Sequence, residues 1–220
     1  MEIFKILSYN FDMKKQILTL IILGMAFCST SAFGANFNMP WKKETQEEAQ
    51  VVDASSQQAK VLYAQNEIDE ALKVLKSKGE ETRTAEDWLI IGNILQDKDK
   101  IDEAVYMFKK SIEKDPKYYK AHYNLGYIYL IQDKPNMALA EFKQAVKYKD
   151  NFAYGYYNMG CAYLKLKQYK NARYNFFRAM DIKNDEPMIY YNLAYTFKKL
   201  NNEKQAKTYL DLYNKLMERQ

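Results

Sequence analysis

The five residues from Tyr123 to Tyr127, YNLGY, return as YNMGC from Tyr157 to Cys161 and again as YNLAY from Tyr191 to Tyr195, each copy 34 positions after the last. A catalytic motif is used once, because one site has one nucleophile and one base to hold. A word that recurs at a fixed period of this length belongs to an architectural unit.

The period extends outward from that word. Residues 85–118 carry Trp88, Ile91, Gly92, Leu95, Ala104, Phe108 and Pro116. At the same offsets, residues 119–152 carry His122, Leu125, Gly126, Tyr129, Ala138, Phe142 and Ala145, and residues 153–186 carry Tyr156, Met159, Gly160, Tyr163, Ala172, Phe176 and Ala179. A fourth copy, 187–220, carries Tyr190, Leu193, Ala194, Phe197, Ala206 and Leu210. The spacing resembles the tetratricopeptide repeat, a helix-turn-helix of 34 residues. That resemblance implies an all-α fold, a right-handed superhelical solenoid of antiparallel helix pairs.

Each slot has a physical reason. The fourth, seventh, eighth and eleventh residues of a unit share one helix face and bury against the second helix. Gly92, Gly126 and Gly160 let the two helices approach, and Ala104, Ala138, Ala172 and Ala206 do the same from the second helix. Pro116 stops a second helix, Pro135 begins one, and Pro187 suits the first position of the last unit. The segment IDEALKVL at 68–75 resembles IDEAVYMF at 101–108, so residues 51–84 read as a degenerate repeat or N-terminal cap. The slot held by Ser111, Ala145 and Ala179 is Tyr213 in the last unit, where Tyr213 and Leu210 are expected to cover the end of the stack.

Composition agrees. Apolar residues make up 48% of the 220, ample for a core, and only seven glycines and four prolines are present, too few for a turn-rich β fold. At the N-terminus, Lys14 and Lys15 precede the apolar run 17–28 and the small-residue stretch STSAFGA. This is the pattern of a secretory signal peptide over 1–34, with an alternative start at Met13 and cleavage after Ala32 or Gly34. An uncleaved membrane anchor is the alternative. Residues 35–50 read as a linker. The chain is therefore expected to be exported, to the periplasm or cell envelope, touching a membrane only through an uncleaved N-terminal segment.

In such a solenoid the inner wall is lined by the first helices, and six tyrosines fall on it: Tyr123, Tyr127, Tyr154, Tyr157, Tyr191 and Tyr195. Tyrosine offers a large apolar face and a hydroxyl at low entropic cost, as recognition surfaces require. Asn124, Asn158 and Asn192 hold one slot in successive units. A row of amides can bond the backbone of an extended peptide. The positions look similar to the asparagine ladder of some members of the superfamily, which implies a peptide-binding groove; bonding between neighbouring helices is the other role open to them. The carboxylate clamp of co-chaperone members is not matched, because Leu89, Tyr154 and Asn158 stand where it needs cationic side chains.

Charge is unevenly spread. Residues 40–118 hold 13 Lys and Arg against 17 Asp and Glu, a net −4, whereas 119–220 hold 17 against 9, a net +8. The basic half suits an acidic protein or an anionic polymer or lipid, or is simply a solvated face. Export disfavours nucleic acid. His122 is the only histidine, and Cys161 would be the only cysteine after cleavage, so neither a zinc site nor a histidine-based triad can be assembled. The expectation is a non-catalytic scaffold with no cofactor and no metal. It binds a protein or peptide in the groove, or acts as an anchored envelope assembly factor through its outer or end surfaces, and is open to oligomerisation.

Overall fold

The computed structural model describes residues 54–218, and among them the chain is helical without strands. The helices are α1 (Ala54–Ala64), α2 (Ile68–Ser77), α3 (Ala85–Asp97), α4 (Ile101–Lys114), α5 (Tyr119–Ile131), α6 (Pro135–Tyr148), α7 (Ala153–Lys165), α8 (Tyr169–Ile182), α9 (Pro187–Lys199) and α10 (Glu203–Met217). A single 3-10 turn, Glu80–Thr82, precedes α3. The helices α3, α5, α7 and α9 start 34 residues apart. The signal-peptide and linker segments lie outside the described residues.

Every pair is closed by the same turn. Asn66, Asp99, Asp133, Lys167 and Asn201 have φ between 57° and 66°, the left-handed conformation that ends a helix. The next N–H reaches back to the last turn of the first helix: Lys100 to Leu95, Lys134 to Tyr129, Gln168 to Tyr163 and Asn202 to Phe197, all within 2.8–2.9 Å. These bonds satisfy carbonyls that the helix end would leave open. None of the five residues is glycine, which is why a search for turn glycines passes over them.

The chain forms two compact units. Among the described residues, the first takes 54–128 together with 140–151. Its core gathers Ala59, Tyr63, Ala71, Leu75, Trp88, Ile90, Ile91 and Ile94 from α1, α2 and α3. Against α3 packs α4 through Ala104 and Phe108, both fully buried. A Cβ on Gly92 would stand 2.5 Å from Phe108 Cε1, so only glycine admits that ring. Thr84 caps α3 in a capping box with Asp87. The same Asp87 carboxylate accepts from the buried Lys78 ammonium at 2.6 Å, which also donates to Ser56 at 2.7 Å.

The second unit takes residues 129–139 and 152–218. Here α8 packs on both α7 and α9, and α10 packs on α9. Phe176, Ala172 and Ala179 are fully buried, and a Cβ on Gly160 would stand 2.5 Å from Phe176 Cε1, as one on Gly92 would from Phe108. Phe177, Phe197 and Tyr209 form an aromatic cluster, with Phe197 and Tyr209 stacked at 5.4 Å between centroids. Tyr213 is buried, its ring 5.4 Å from that of Tyr191. Leu210, expected to share that covering role, is instead 42% exposed. It follows Tyr209 on α10, and consecutive residues on a helix point about 100° apart, so the inward-facing tyrosine turns Leu210 outward.

Candidate binding surface

The first helix of a pair is crowded on nearly every side. In α3, all residues from Asp87 to Ile94 are buried, and in α7 all from Tyr157 to Ala162. This crowding sorts the nine residues singled out from the sequence into those that build the face and those that remain open on it.

Tyr123 and Tyr157 are core residues, 5% and 8% exposed. Each ring lies 5.8 Å from the phenylalanine of the second helix, Tyr123 from Phe142 and Tyr157 from Phe176. The cause is local: Gly160 follows Tyr157 by three residues on one helix face, so a ring seated over the glycine also meets the tyrosine. The pairing of Tyr three residues before Gly was visible in the sequence, and it is the signal that marks these tyrosines as packing groups.

The three asparagines are also buried, Asn124 at 0%, Asn158 at 5% and Asn192 at 4% exposure. They do not stand open to water as a free ladder would. Asn124 of α5 donates through Nδ2 to Asn93 Oδ1 of α3 at 2.6 Å, and its own Oδ1 is buried without a hydrogen-bond partner. Asn192 of α9 donates to the Tyr157 hydroxyl of α7 at 2.9 Å and to the Met188 carbonyl at 3.0 Å. In both units the amide therefore ties a first helix to the first helix before it.

Tyr127, Tyr154 and Tyr191 are half-buried, and Tyr195 is 38% exposed. The Tyr154 hydroxyl accepts from Lys183 Nζ at 2.7 Å, a contact that raises the lysine above its ordinary pKa. Lys199 stands 5.3 Å over the Tyr195 ring, a cation–π contact. Burial, then the neighbouring Tyr213 and Tyr195, push the Tyr191 hydroxyl upward, so it remains a donor across the physiological range. Lys165 pairs with Asp133 at 2.8 Å. Cys161 is fully buried. Among the described residues, no group of three or more His, Cys, Asp or Glu is placed to hold a metal ion, and no helix is long and apolar enough to cross a membrane.

A family model described as tetratricopeptide repeat matches residues 107–140, and a second of the same description matches residues 153–185 and 189–216. The chain is a tetratricopeptide repeat protein. The first matched span runs from within α4 through α5 into α6, whereas the later two each follow one helix pair. Among solved structures, the repeats are similar to MamA 41-end from Desulfovibrio magneticus RS-1, with 21% identity, a TM-score of 0.67, and coverage of 76% of this chain and 98% of that one. They are also similar to MamA AMB-1, with 15% identity, a TM-score of 0.64, and coverage of 74% and 90%. At these identities the likeness is one of fold. No curated protein matches the chain by sequence. The repeats belong to a class of protein-interaction scaffolds.

Proposed function

We propose that the protein is an exported, non-catalytic scaffold that holds an extended peptide or protein segment against the α7 and α9 first helices. The observation that carries this reading is the division of labour on that face. Asn158, Asn192 and Tyr157 form a buried, bonded floor, while Tyr154, Tyr191 and Tyr195 keep ring surface or a hydroxyl available above it. Rigid aromatic side chains on a fixed floor lose little entropy when a partner docks. Lys198 and Lys199 are exposed at the end of α9, and a segment with acidic side chains suits them. Recognition rests on the tyrosines, and the asparagines hold the helices that present them.

Site-specific photocrosslinking tests the reading. A crosslinker at position 195 should capture the partner from an envelope extract, and one at position 174, on the exposed outer side of α8, should not. Capture from 174 with none from 195 would favour an assembly factor that works through its outer surface. Export rests on the Lys14–Cys28 pattern and is tested separately: the intact mass of the recovered protein should correspond to a start near residue 33 or 35.

A further inference from the structure

His122 is the only histidine of the chain, it is 7% exposed, and both of its ring nitrogens are engaged. Nδ1 lies 2.8 Å from Glu141 Oε2 on α6, and Nε2 lies 3.0 Å from the Pro116 carbonyl in the loop before α5. Both partners are acceptors. A neutral imidazole carries one N–H and one lone pair, so one of the two contacts would set a lone pair against an oxygen. Only the imidazolium donates to both.

We propose that His122 is held as an imidazolium and acts as an acid-dependent staple, joining the Pro116 loop and the start of α5 to α6 within the first unit. The charged groups that face the ring are Glu141 from α6 and Asp115 from the loop, both acidic. The Tyr148 ring of α6 lies 5.9 Å from the imidazole, tilted by 32°. Burial works against the charged form, but the Glu141 and Pro116 hydrogen bonds and the two carboxylate charges outweigh it, and the histidine titrates above its ordinary 6.5. Sister repeats place Tyr156 and Tyr190 at this position, so the slot needs a ring, and a ring that titrates near neutral pH is particular to the 119–152 copy.

The direction follows from linkage. A group whose folded pKa is raised stabilises the fold fully below its unfolded value, about 6.5, and the contribution fades as pH rises through the folded value. The first unit is therefore tightened by mild acid and loosened by mild alkali. The loosening falls at the start of α5, the helix that carries Asn124 and Tyr127.

A single histidine makes the test direct. In the full chain labelled with 15N-histidine, the titration midpoint should lie above 6.5, and both ring nitrogens should be protonated on its acid side. Glu141→Gln, which keeps the shape but removes the charge, should move that midpoint to lower pH. In urea melts, the wild type should lose midpoint between pH 6 and pH 8.5. His122→Tyr, the residue of the sister repeats, should lose less over the same interval. A neutral ring at pH 7 with a midpoint at or below 6.5 would overturn the staple, as would a wild type and His122→Tyr variant with the same pH dependence. Should Glu141→Gln fail to fold, the wild-type ring spectrum alone decides.

Discussion

Gly160→Ala isolates the close approach on which each helix pair depends. The added Cβ would stand 2.5, 2.7 and 2.8 Å from Cε1, Cδ1 and Cζ of Phe176, whereas carbon atoms rest at about 3.5–4.0 Å. Relief requires the ring to move by about 1 Å, and Phe176 is fully buried with the Tyr157 ring against it. Overpacking of this kind costs about 1–3 kcal/mol, and the geometry argues for the upper half of that range. Alanine offsets part of the loss, since it is favoured over glycine within a helix by about 0.8–1.0 kcal/mol. A net destabilisation of about 1–2 kcal/mol remains. With a urea slope of about 2 kcal/mol/M, the midpoint followed by far-ultraviolet circular dichroism should fall by about 0.5–1 M. The steric origin is checked by a cycle with Phe176→Leu, in whose background the alanine should cost distinctly less. A midpoint for Gly160→Ala at or above that of the wild type would refute the reasoning, because helix propensity would then have outweighed a contact that cannot be rigid. Strict additivity with Phe176→Leu would refute the assignment of the strain to that ring.

Asn192→Ala removes an amide that bonds both Tyr157 and Met188, and at about 1 kcal/mol net per hydrogen bond it should lower stability by about 1–2 kcal/mol, read as a lower urea midpoint. An unchanged midpoint would return that asparagine to the role of a water-satisfied groove residue. Lys167→Gly should raise stability by about 0.5–1 kcal/mol, since Lys167 holds φ at 57°, where a side chain is penalised and glycine is not; a thermal melt decides the sign. Lys78→Met leaves the buried Asp87 carboxylate without its cation and should cost about 3–5 kcal/mol; loss of less than about 1 kcal/mol would mean that water reaches the site.

The recurrence at 34 residues, with glycine, alanine and phenylalanine at fixed offsets, determined the helix pairs by itself, because each slot answers to a contact inside one pair. Gly160 against Phe176 is such a contact, and Pro135 and Pro187 mark helix starts that the sequence also showed. The tyrosines and asparagines were legible only as positions on a helix. Counting residues gives an angle around the axis, but it does not say how much of that circumference is covered. Tertiary structure decided this: α7 is buried continuously from Tyr157 to Ala162, so Tyr157 and Asn158 pack inward while Tyr154 stays half-open on the preceding turn. Leu210 belongs to the same category, since its slot is core in the copies holding Phe108, Phe142 and Phe176 and is open in the last. His122 shows the limit most clearly. Its aromatic slot was readable from the repeat, but the two acceptors that make it an imidazolium come from a loop carbonyl six residues back and a carboxylate nineteen residues on, and only the folded chain brings them to opposite sides of one ring.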